Sequence, residues 1–231
     1  MSRLEELRAN LAEVEERVRR AADAAGRSRE ELTVVVVTKT YPASDVDLLV
    51  ELGVHDVGEN RHPEAGDKLA DLAGPAPRMH FLGGVQTNKA GAVARYADVV
   101  HSVDRAKLAR SLSRGAQAAE RELGVLVQVD VDGSDEGRSG TAPSEVPALA
   151  DLVAELPGLR LDGLMTVAPL GAPPRPAFDE LVRLSHDLRR DHPQAAVVSA
   201  GMSGDFEEAV AAGATHLRIG RSILGERPPL R

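Results

Sequence analysis

A lysine at the end of a buried strand is a candidate nucleophile, and Lys39 directly follows the apolar run Leu32-Thr33-Val34-Val35-Val36-Val37-Thr38. Partial desolvation there disfavours the ammonium and frees an amine able to condense with a carbonyl. The alternative is a solvated, unreactive strand end. Two further segments have the composition of a phosphate cup: Ser199-Ala200-Gly201-Met202-Ser203-Gly204 and Arg218-Ile219-Gly220-Arg221-Ser222. Small residues let backbone N–H groups approach a dianion, and a helix N-terminus adds a favourable dipole. Ser203 is then a phosphate donor or a helix N-cap, and the glycines serve a ligand or only tight turns. Arg218 and Gly220 share a strand face by alternation, which puts a permanent cation beside an opening. Its partner is a phosphate, a carboxylate, an aromatic nitrogen, or a structural acid such as Glu59. Glu59-Asn60 ends another strand and either orients a ligand hydroxyl or a lysine, or caps a helix.

Other chemistries have less support. With no cysteine, disulfides, thiolate catalysis and thiolate metal sites are excluded. The seven histidines are scattered without ligand spacing, so no metal is expected. The loop from Asp130 starts like a calcium loop but has Asp135 at the glycine place and Thr141 at the final glutamate place, so it reads as a Gly-rich crossing with Arg138 available to an anion. His80 between Met79 and Phe81 reads as a core histidine, and Gln86, Asn88 and Lys89 as first-turn neighbours of the N-cap Thr87.

These residues need a scaffold that brings strand ends together. The apolar runs predict strands at Leu32–Thr38, Val54–Gly58, Met79–Gly83, Val99–Val103, Val125–Val131, Leu161–Val167, Ala196–Ala200 and His216–Gly220, alternating with amphipathic helices. Helix boundaries are signalled by Ser44 with Gly53, Thr87, Asp104 with Gly124, Ser144, and Ser203 with Gly213. Strand–helix units in this number suggest a (β/α)8 TIM-type barrel, which typically takes roughly 250 residues, here one domain over residues 1–231. Ahead of it Ser2–Ala25 reads as an extra helix, with Ser2 and Glu5 as a capping box and Gly26 as the stop. Its apolar stripe is too short for an autonomous coiled coil and should pack on the protein's own body.

A formal charge of −8 with 2% aromatics and no tryptophan argues against a nucleic-acid surface. Neither a secretory leader nor a membrane-spanning run is legible, so the cytoplasm is the expected compartment.

Seven blocks in order extend over nearly the whole chain: Thr38-Lys39-Thr40, Gly58-Glu59-Asn60, His80-Phe81-Leu82-Gly83, Gln86-Thr87-Asn88-Lys89, Gly163-Leu164-Met165-Thr166, Gly201-Met202-Ser203-Gly204-Asp205 and Arg218-Ile219-Gly220. Together they resemble the pyridoxal phosphate homeostasis protein family. The resemblance implies a single barrel of the alanine-racemase type carrying pyridoxal 5'-phosphate as an internal aldimine on Lys39. It places the phosphate near Ser199, Ser203, Gly220 and Arg221, Arg218 by the pyridine nitrogen, and Asn60 near the ring's 3'-hydroxyl, with Met202 among the cofactor-binding residues. The chain departs from the family pattern at Tyr41, Met79, Arg138, Ala200 and Arg221. The last adds a charge at the phosphate cup and removes a hydroxyl donor.

The expected function is a non-catalytic carrier that holds and releases the cofactor, as a monomer, with pyridoxal phosphate-dependent apo-enzymes as recipients. The alternatives are a racemase or decarboxylase of the same barrel type, with Tyr41 facing the side of Lys39, or a Schiff-base aldolase using Lys39 without a cofactor.

Overall fold

The structure, a computed structural model, describes residues 1–131, 133 and 139–225. Parallel strands β1 (Thr33–Val37), β2 (Asp56–Glu59), β3 (Arg78–Phe81), β4 (Val99–Val103), β5 (Leu123–Gln128), β6 (Leu159–Met165), β7 (Val197–Met202) and β8 (His216–Ile219) form a closed barrel in chain order. Closure is by β1 on β8, with Thr33 opposite His216 and Val35 opposite Arg218. Strands buried on both faces need apolar residues at successive positions, and Val35 and Val36 are both fully buried. Around the barrel run α1 (Arg3–Ala24), α2 (Ala43–Glu51), α3 (Glu64–Ala70), α4 (Ala90–Val93), α5 (Ala106–Ala118), α6 (Val146–Glu155), α7 (Arg175–Asp191), α8 (Phe206–Ala212) and α9 (Arg221–Leu224). The main core lies between strands and helices, and Val36, Val100, Val127, Leu164, Leu217 and Ile219 belong to it. The fold is the expected (β/α)8 barrel with its extra N-terminal helix.

Helix α1 starts at the predicted capping box, with the Glu5 N–H donating to Ser2 Oγ and the Ser2 N–H to Glu5. It buries Leu7, Val14, Val18 and Ala22 and packs on α8 and α9. Arg17 pairs with Glu207 and lies 4.6 Å over the Phe206 ring, and Arg3 pairs with Asp45. The helix is thus clamped to the barrel at both ends, as its short stripe predicts.

Six boundary signals need correction. Thr87 and Ser144 lie inside 3-10 turns whose cap residues are Gln86 and Ala142, and Asp104 precedes Arg105, the cap residue of α5. Ser44 lies inside α2, whose cap residue is Pro42, and Ser203 precedes Asp205, the cap residue of α8. Gly124 lies in β5, and the chain leaves α5 through Glu120 at φ 51°. A polar residue near a helix start caps only when its own backbone is extended and its side chain reaches back, which sequence order alone does not tell. Gly53 and Gly213 do end their helices, at φ 87° and 119°.

Candidate functional site at the mouth of the barrel

The segment carrying Lys39 is fixed from several sides. Thr38 is fully buried; its N–H donates to the Gly58 carbonyl and its Oγ1 to Glu59 Oε1 at 2.7 Å. Lys68, buried on α3, donates to the Thr38 carbonyl at 2.8 Å and to the same Glu59 oxygen. Thr40 takes a positive φ of 73°, with its N–H donating to Glu64. A β-branched residue in that region is strained by about 1–3 kcal/mol, so the lysine turn persists because its surroundings impose it. Tyr41 closes the turn through its N–H to the Thr38 carbonyl, and its hydroxyl donates to the Gly225 carbonyl at 2.7 Å.

Lys39 lines a cavity of about 530 Å³ at the C-terminal ends of the strands, a volume in the range of small-molecule sites. Asn60, Met202, Ser203, Arg218, Gly220 and Arg221 line it too, together with Tyr41, Asp205 and the segment from Val167 to Ala172. The buried Asn60 Oδ1 has no hydrogen-bond partner among the described residues. A buried unpaired acceptor costs about 1–3 kcal/mol, which a ligand hydroxyl would relieve.

The β7 and β8 loops reach this cavity through a bulge. Ser199 pairs with His216 and Met202 with Arg218, so β7 spends one residue more than β8 over that stretch. Gly201 sits there at φ 86°, where a Cβ would lie 2.7 Å from Ala209 Cβ. Such a bulge bends the strand and re-aims the residues beyond it, here Met202 and Ser203. Asp205 secures the turn by accepting from the Met202 N–H at 2.6 Å. The first N–H groups of a helix lack intrahelical acceptors, and α9 begins at Arg221 beside Gly220, so the segment offers N–H donors and a charge together.

Arg218 is buried, with Nη1 donating to Ser199 Oγ at 2.7 Å and Nη2 to the Thr166 carbonyl at 2.8 Å. Burial pushes its pKa down to about 10, against the pull of Asp205, so it remains a cation at neutral pH. Two expectations change here. Ser199 does not line the cavity: it is fully buried, and its hydroxyl bonds Arg218 and His101. Glu59 does not pair with Arg218, because Lys68 and Thr38 take its Oε1.

His80 is a buried, bonded histidine, as its place between Met79 and Phe81 suggests. Gln86, Asn88 and Lys89 form a separate turn away from the cavity wall. Arg138 and most of the surrounding loop lie outside the described residues. Sequence reasoning missed His101, Asp56 and the part of Asp205. The available signal for His101 was its place at the centre of the strand Val99-Val100-His101-Ser102-Val103.

The family "Alanine racemase, N-terminal domain" matches residues 9–228. A pyridoxal phosphate homeostasis protein of Pseudomonas aeruginosa is 42% identical over 221 residues, covering 94% of each chain. One of Mycobacterium tuberculosis is 40% identical over 240 residues, covering 96% of this chain and 93% of the relative. Among solved structures, PipY of Synechococcus elongatus with PLP bound superposes with a TM-score of 0.79 at 30% identity, over 90% of this chain and 99% of that one. A barrel whose mouth gathers a strand-end lysine, a buried arginine and two small-residue loops, together with these likenesses over nearly the full length, leads to one assignment: the chain belongs to the pyridoxal phosphate homeostasis protein family, on the barrel of the alanine racemase N-terminal domain.

Proposed function

We propose that this chain binds pyridoxal 5'-phosphate in the mouth cavity through Lys39 and serves to hold and release it, without substrate turnover. The observation that carries the reading is the convergence of Lys39, Asn60, Arg218 and the Met202–Ser203 and Gly220–Arg221 loops on one cavity. These residues fit the ligand's functional groups. The amine suits the aldehyde, the unpartnered Asn60 oxygen suits a phenolic hydroxyl, and the loop N–H groups with Ser203 and Arg221 suit a phosphate.

When bound, pyridoxal phosphate supplies an aldehyde that condenses with a primary amine, forming C=N and expelling water. The same condensation would be reversible, with Lys39 released as the free amine. Lys39 supplies the amine from a turn held by the hydrogen bonds of Thr38, Thr40 and Tyr41, and Arg218 places a positive charge where the ring nitrogen is expected. A cation there disfavours protonation of that nitrogen and weakens the ring as an electron sink. Holding and exchange need no electron sink, whereas carbanion chemistry does. Amino-acid turnover would also need a proton-transfer group over the ring, and the Tyr41 hydroxyl on the cavity wall is bonded to the Gly225 carbonyl.

The working unit in this reading is one 1–231 domain acting as a monomer in the cytoplasm, with apo-enzymes as recipients. No helix among the described residues is long and apolar enough to cross a membrane. Titration with pyridoxal phosphate tests the reading: stoichiometric growth of a visible band in wild type and its loss in Lys39→Ala are expected. A colourless wild-type protein would overturn it. Solvent-deuterium exchange into alanine, expected to be absent, separates a holder from a racemase.

A further inference from the structure

Inside the barrel, beneath the cavity, polar side chains form a single line. Arg218 Nη1 lies 2.7 Å from Ser199 Oγ, and Ser199 Oγ lies 3.0 Å from His101 Nδ1. His101 Nε2 is 2.8 Å from His80 Nδ1, and His80 Nε2 is 2.8 Å from Asp56 Oδ1. Strands β4 and β7 are not neighbours in the barrel, so the His101–Ser199 bond crosses its interior. Arg218, Ser199, His101 and His80 are all buried. Asp56 opens β2 at the end of the barrel opposite Lys39, and its side chain is 20% exposed.

The line admits one direction when its far end is a carboxylate and the His80 ring is neutral. An ionised Asp56 only accepts, so His80 Nε2 carries a proton, and the neutral form of the ring accepts at Nδ1. His101 must then donate from Nε2 and accept at Nδ1, and the proton it accepts is that of the Ser199 hydroxyl. With its proton committed downward, Ser199 presents lone pairs to Arg218. Every donor finds an acceptor, and the network itself dictates both tautomers. Burial holds the His101 pKa well below the ordinary histidine value, which keeps that ring neutral. Burial pulls the Asp56 carboxyl up, but the hydrogen bond from His80 and the neighbouring Arg78 cation more than offset it and keep the carboxyl below its ordinary range.

We propose that Asp56, from the far end of the barrel, sets the direction of this hydrogen-bond line and thereby positions the Arg218 guanidinium for the ligand's ring nitrogen. His80, His101 and Ser199 are positioning residues that act through Arg218. The inference rests on the reading that the ring lies at Arg218. Its physical content is that Ser199 and the Thr166 carbonyl fix the guanidinium plane from below, and that Ser199 accepts only while the line ends in an anion. In Asp56→Asn the amide can donate to His80 Nε2. The tautomers of His80 and His101 then invert, and the Ser199 proton is released to turn toward Arg218. The other charged or titratable groups facing the line are Arg78, His216, whose ring lies 6.3 Å from that of His80, and Asp205 beside Arg218.

Nitrogen NMR of the histidine side chains in the ligand-free protein tests the line directly. Wild type should show His80 and His101 both neutral with the proton on Nε2, and Asp56→Asn should move the His101 proton to Nδ1 in part or all of the molecules. In the pyridoxal phosphate-loaded protein, Asp56→Asn and Ser199→Ala should each displace the midpoint of the visible band's pH titration by about one pH unit, the lysine still attached. A wild-type His101 found as the Nδ1–H tautomer or as imidazolium overturns the proposal. So do variants whose titration coincides with wild type. If Asp56→Asn does not fold, the wild-type tautomers and Ser199→Ala decide. A wild-type protein that takes up no ligand would refute the functional reading, while the tautomers would still judge the line.

Discussion

The buried pair of Glu59 and Lys68 holds the backbone from which Lys39 projects, because both side chains also bond Thr38. Removing one member leaves a buried charge without its partner, so Lys68→Met should lower unfolding free energy by about 3–5 kcal/mol. The double variant with Glu59→Gln should recover much of that loss, and urea unfolding measures both. Asn60 plays no such structural part through its unpartnered oxygen. Asn60→Ala should therefore leave the stability of the ligand-free protein unchanged or slightly raised while weakening pyridoxal phosphate binding about tenfold, the worth of roughly one hydrogen bond. Lys39, Asn60, Arg218, Gly220 and Arg221 were legible because each is a polar residue or glycine just past an apolar run. That Ser199 does not line the cavity was not legible, because the bulge after it is invisible in residue order. The direction in which a side chain leaves a strand depends on register that only the neighbouring strand supplies.

The β7 bulge turns a strand into a wall of the site. Gly201→Ala would add a Cβ 2.7 Å from Ala209 Cβ and 2.9 Å from Phe206 Cα, at a backbone φ of 86°. Such crowding costs about 1–3 kcal/mol, and the displaced Met202–Ser203 loop should weaken ligand binding as well. Thermal unfolding and ligand titration of the same variant read both effects. Helix α1 shows the complementary case, where burial dominates: Leu7→Ala removes a fully buried side chain and should cost about 2–5 kcal/mol with little change in ligand affinity. Strand positions were readable from valine-rich runs, since strands buried on both faces leave that signature. Helix starts were read less well, because Pro42 and Asp205 took cap places that Ser44 and Ser203 suggested.

The barrel buries a few titratable groups in its interior, and these shape its response to acid. Burial pushes the His216 pKa down to about 4, and burial holds His101 well below its usual range. Both bind a proton more weakly folded than unfolded, so unfolding takes up protons once the pH drops below about 6.5. Stability should therefore be lost as the pH falls from about 6.5 towards 4, by roughly 1.4 kcal/mol per pH unit for each such histidine. Denaturant unfolding between pH 7 and 4.5 measures the slope, and a flat profile would contradict these burials. The closed barrel was foreseeable from the count of strand–helix units. Its polar interior was not, because His80, His101 and Ser199 lie far apart in sequence and meet only when β3, β4 and β7 face one another.

The central claim is that Lys39 forms the bond to the ligand. Borohydride reduction of the pyridoxal phosphate-loaded protein, then peptide mass mapping, tests lysine, ligand and bond together. The account predicts one reduced pyridoxyl phosphate adduct, on the peptide containing Lys39. An adduct confined to another lysine, or none on a protein that has bound the ligand, would contradict it.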